Sequence, residues 1–159
     1  MKSILLVTML AGAGLSIATP AQAETTCGPA KNVELSTPGF DTDLSVTLCV
    51  THGSLDVGAY AIVNWKDGGS GGDDGNRKFD SLLIHYQLQA YDEVLASGSC
   101  NLSGRVNGAE KGTRACKTVY PQTSRAGGLN ARGYVDYNVD RDGLGTKRFD
   151  LVPTPFVTS

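Results

Sequence analysis

The chain reads as an all-β protein: a two-sheet antiparallel β-sandwich of about seven strands, held by two disulfides and preceded by an N-terminal signal peptide. Three observations predict it. Short apolar runs alternate with a period of two rather than the 3.6 of a helix. Glycine, at 20 of 159 residues, stands near twice its usual share and gathers between those runs. Four cysteines follow a segment with the marks of an export signal.

That segment comes first. Lys2 precedes an apolar run over residues 4–14, and Pro20 leads into Ala21-Gln22-Ala23, a small-x-small cleavage site. The apolar run is too short to span a bilayer, and no later one is longer, so no membrane span is expected. Residues 1–23 are therefore expected to be a signal peptide and residues 24–159 a single secreted domain, extracellular or periplasmic. The formal charge of −2 is mildly acidic, which argues against nucleic-acid partners. Cys27, Cys49, Cys100 and Cys116 allow three connectivities. Hairpin-rich topology favours the local pairs, Cys27 with Cys49 and Cys100 with Cys116, each worth about 3 kcal/mol on the chain-entropy model.

Residues 32–36 form a weak first strand. Residues 43–51 alternate strictly, with Leu44, Val46, Leu48 and Val50 on one face and Ser45, Thr47, Cys49 and Thr51 on the other. Residues 57–66 carry apolar side chains on both faces and suit a central strand. The longest periodic segment, residues 79–92, sets Leu82, Ile84, Tyr86, Leu88 and Ala90 against Leu83, His85, Gln87, Gln89 and Tyr91. A helix capped by Ser81 competes there, but five consecutive matches to the period of two favour a strand. Residues 114–120, 131–139 and 147–152 complete the set, and Asn107-Gly108 supplies turn chemistry between Cys100 and Cys116.

The Gly-rich stretch 65–80 contains Gly68-x-Ser70-x-Gly72, the pattern of a nucleophile elbow. An elbow needs a helix to carry the chain away, and residues 71–80 cannot begin one. A phosphate loop fails for the same reason. Lys78-Phe79-Asp80 recurs as Arg148-Phe149-Asp150, two matching hairpin flanks whose charges would solubilise strand ends. Asn138, Asp140 and Asp142, followed by Gly143, match the first half of a calcium loop, but Phe149 stands where the bidentate glutamate should be. Calcium is thus the one cofactor the pattern admits.

No nucleophile or general acid can be named, and a non-catalytic binding or interaction module is preferred. The outward residues of two strands supply its candidate surface: His85, Gln87, Gln89 and Tyr91 on one, Arg132 and Tyr134, with Asp136 and Asn138, on the other. Rings with amide, imidazole and carboxylate groups suit a carbohydrate or a polar extracellular protein surface. Two alternatives stand beside it. A protease inhibitor would present Arg105, Lys111 or Arg114 on the Cys100–Cys116 loop; a cell-envelope hydrolase would have to use groups that the sequence does not single out. Asn101-Leu102-Ser103 is a glycosylation sequon whose use the sequence leaves open.

Overall fold

The computed structural model describes residues 23–53, 57–67, 77–122 and 127–158. Residues 1–22 of the expected signal peptide and the Ser70 motif lie outside them. Two antiparallel sheets face each other across one core. Sheet A contains β1 (Glu24–Cys27), β2 (Lys31–Leu35), β3 (Thr42–His52), β4 (Val57–Asp67) and β7 (Lys111–Ala115). Sheet B contains β5 (Phe79–Ala90), β6 (Glu93–Asn101), β8 (Gly128–Val139), β9 (Lys147–Asp150) and β10 (Val157–Thr158).

The sheets share a plan. In sheet A, β1 and β2 both pair along one side of β3, followed by β4 and β7; in sheet B, β9 and β10 both pair along one side of β8, followed by β5 and β6. Two long central strands thus carry each sheet, and short segments close the edges. The pleat delivers the expected core: Leu44, Val46, Leu48 and Val50 from β3 meet Leu82, Ile84, Tyr86 and Leu88 from β5, all at most 3% exposed. Period two therefore prevails over the helical reading of residues 79–92, because only the strand buries all four of those β5 side chains at once.

Both disulfides form as expected. Cys27 and Cys49 are register partners within sheet A, whereas Cys100 on β6 reaches Cys116 just past β7 and ties the edge of one sheet to the edge of the other. They place the domain in an oxidising compartment. Among the described residues no helix is long and apolar enough to cross a membrane.

The structure departs from the sequence reading in several places: among the described residues ten strands form where about seven are read, the short edge strands β1 and β10 among the additions. β6 forms where no strand was read, because Ala96, Gly98 and Cys100 are too small to give an alternating signal. They are small for a reason: a Cβ on Gly98 would lie 2.6 Å from Val119 Cγ1 and 3.1 Å from the Tyr86 ring. The strand expected over 114–120 is centred earlier, on Lys111–Ala115, and leaves the ladder after Cys116 apart from the bridge of Val119 to Ala59. Asn107-Gly108 turns the chain as expected, but the short helix α1 (Ser103–Val106) precedes the turn, and Asn107 becomes a bracket. Its Oδ1 accepts from the backbone N–H groups of Lys78 and Phe79, and its Nδ2 donates to Phe79 O. Lys78, expected to solubilise a strand end, is 2% exposed; its Nζ donates to the carbonyls of Pro38 and Phe40 and lies 3.7 Å from Asp67 Oδ2. A buried ammonium is tolerable only with such partners.

Candidate functional site

The strands that carry the candidate surface are neighbours in sheet B. Their register sets His85 opposite Tyr134 and Gln87 opposite Arg132. β6 adds Ser99 beside His85 and Ser97 beside Gln87, and β9 adds Asp150 beside Tyr134 and Arg148 beside Asp136. Two rows of side chains therefore cross the outer face, Asp150–Tyr134–His85–Ser99 and Arg132–Gln87–Ser97. Together they line a trough of about 840 Å³ over the backbone of Gly133, Tyr86 and Gly98. Rows on one strand face lie about 7 Å apart, and four strands span about 14 Å, so the trough runs across the strands.

One wall is rigid. The His85 and Tyr134 rings stack with centroids 4.6 Å apart and planes 18° from parallel, and the Arg148 guanidinium carbon stands 3.9 Å from the Tyr134 centroid. Arg148 also grips Asp136 through two hydrogen bonds, Nε to Oδ1 at 2.7 Å and Nη2 to Oδ2 at 2.9 Å, while His85 Nε2 lies 3.5 Å from Asp136 Oδ2. The hydrogen bonds from Arg148, more than its charge or that of His85, hold the Asp136 carboxyl below the usual carboxylate range. In turn, Asp136 keeps Arg148 more firmly protonated than usual. The rings were expected to stack on a ligand. Instead Tyr134 is flanked from both neighbouring strands, by His85 on one side and Arg148 on the other, and is half-buried.

The sequence-named residues divide. His85, Gln87, Arg132 and Tyr134 line the trough. Gln89 does not serve as an outward group: it is 6% exposed, and its buried Oε1, like that of its register partner Asn130 at Oδ1, has no hydrogen-bond partner. Tyr91 has left the strand, with φ of 55° in the β5–β6 turn and 68% exposure, and stands away from the trough. Ser97 and Ser99 were missed because β6 was missed. Asp150 and Arg148 were visible only as a repeated hairpin flank.

The other candidates are placed as follows. The β8–β9 loop lies at the same end of the sandwich as the start of β5, with Asp140 N–H donating to Lys78 O. There Asp140 faces Arg77 and Arg141 at 3.6 and 3.4 Å, and Asp142 accepts from Lys147 Nζ and Leu144 N–H. Asn138 is paired within the ladder opposite Ser81. Among the described residues no group of three His, Cys, Asp or Glu side chains could hold a metal ion. Arg105 lies in α1, and Lys111 and Arg114 lie in the edge strand β7. Asn101 holds Ser103 through its Oδ1. The chain matches no protein-family model, no curated protein and no solved structure.

Proposed function

We propose that the protein is a secreted, non-catalytic glycan-binding module whose binding face is the trough across β9, β8, β5 and β6. The observation that carries this reading is the direction of the trough. The backbone groups of β5 on its floor are committed to ladders with β6 and β8. A peptide recognised by a sheet normally adds a strand at an edge, where backbone hydrogen bonds supply affinity. A peptide lying across the strands would find no such partners and would bury unpaired amides. A glycan presents its hydroxyls outward from a ring, and hydroxyls are what Tyr134, His85, Gln87, Ser97, Ser99 and Asp150 can satisfy. Export fits the signal-like residues 1–23 and the two disulfides.

A set of immobilised glycans probed with the full-length secreted protein tests this. Binding should fall at least tenfold in the His85→Ala, Tyr134→Ala double variant, checked for an unchanged fold by circular dichroism. It should be unaltered in Tyr91→Ala. Binding that survives the double variant would remove the trough from consideration.

A further inference from the structure

Resting on that reading, we infer that the glycan carries a carboxylate, as in a uronic or sialic acid, and that Arg132 receives it. The charges on this face are matched one by one until Arg132 is reached. Arg148 is held by Asp136 and lies in the field of Asp150. Arg132 is exposed and makes no hydrogen bond or ion pair with the described residues; its register partner across the sheet is the neutral Gln87. A guanidinium in this position offers a fork of two parallel N–H groups, which a planar carboxylate matches in full.

The trough is also polarised. Asp150, the exposed acid of the opposite row, accepts hydroxyls but repels an anion, so a carboxylate on the ligand is directed to the Arg132 wall. Gln87 stands beside Arg132 with an amide N–H₂ able to donate to the same carboxylate. One unmatched cation facing one carboxylate also limits the charge the site accepts. A ligand dense in anions would bring charge against Asp150, which sets a singly carboxylated sugar apart from a sulfated chain.

The test uses an array of neutral, carboxylated and sulfated glycans with the full-length protein. The expected result is binding confined to carboxylated members. Reduction of the carboxyl groups of a bound glycan to alcohols, and separately Arg132→Gln, should each weaken it about ten- to hundredfold. Arg132→Lys should recover part of the loss, because charge returns without the fork. Binding to neutral or to sulfated members alone would overturn the inference and leave the glycan reading intact. So would an Arg132→Gln variant that binds as tightly as the parent. Silence across the whole array, with the protein folded, would overturn both.

Discussion

Each sheet turns a hollow toward solvent, about 740 Å³ on sheet A and about 840 Å³ on sheet B. Both are built alike, from two rows of outward side chains over the backbone of an inward row. On sheet A the rows are Asn32–Ser45–Asn64–Thr113 and Glu34–Asp43–Lys66–Lys111. Their groups answer one another: Thr113 Oγ1 donates to Asn64 Oδ1 at 2.7 Å, and Lys66 Nζ lies 3.2 Å from Asp43. No aromatic ring stands in either row. On sheet B a stacked pair braced by an ion pair forms one wall, Asp150 acts on Arg148 only through its charge, and Arg132 is left without a partner among the described residues. Size and shape do not separate the two faces. What separates them is rigidity on one side and unspent hydrogen-bonding capacity on the other, the two properties that make binding worth its ordering cost.

The largest expected effect lies in the floors. A Cβ at Gly133 would stand 2.3 Å from the carbonyl oxygen of His85, a backbone atom that can yield only if β5 and β8 separate. Gly133→Ala should cost about 3 kcal/mol or more and abolish binding. At Gly112 the same Cβ would meet the Trp65 ring at 2.2 Å. That ring is 7% exposed and tied to Ala109 O through Nε1, yet it is a side chain and can tilt, so Gly112→Ala should cost about 1–2 kcal/mol and leave binding alone. Urea denaturation of both variants checks the pair. Equal costs, or binding lost at Gly112, would erase the distinction between the floors.

How far the sequence revealed this follows from what each residue signals. Large side chains at alternate positions announce themselves, so β3, β4, β5 and β8 and their outward faces were legible, and with them His85, Gln87, Arg132 and Tyr134. Small side chains do not. β6 packs through Ala96, Gly98 and Cys100, and its two serines joined the trough unread. Alternation also says which way a side chain points but not what covers it, which is why Gln89 reads as a surface group and is buried. The pairing of β5 beside β8, which brings His85 onto Tyr134, is a long-range fact that no local pattern contains.

An intermediate effect is expected where the rigid wall meets pH. Asp136 holds Arg148 and faces His85, and Asp136→Asn should loosen both rings and weaken binding about three- to tenfold at neutral pH. Because its folded carboxyl is held below the usual range, its contribution is complete above the unfolded value of about 3.9 and is lost as pH falls through the lower folded value. Parent and variant should therefore differ in stability at pH 7, and the difference should shrink steadily as pH falls below about 3.9 in chemical denaturation. A difference that stays constant on acidification would show that the wall is held by packing and not by the carboxylate.

The smallest effect is expected from the corresponding acid on sheet A. Asp43 also pairs with a cation, but both partners are open to water, the Lys66 side chain at 71% and Asp43 at 38% exposure. Solvent screens such a pair and the long lysine loses rotamer freedom in making it, so Asp43→Asn should change stability by less than about 0.5 kcal/mol. High salt should remove what difference there is. Glycan affinity should not move at all, since the hollow above Asp43 has no rigid wall for the pair to hold in place. If Asp43→Asn weakens binding as much as Asp136→Asn does, the ligand spans the wrong face for the proposed site. The sheet A hollow, with its lysines Lys66 and Lys111, would then have to take the place assigned to Arg132.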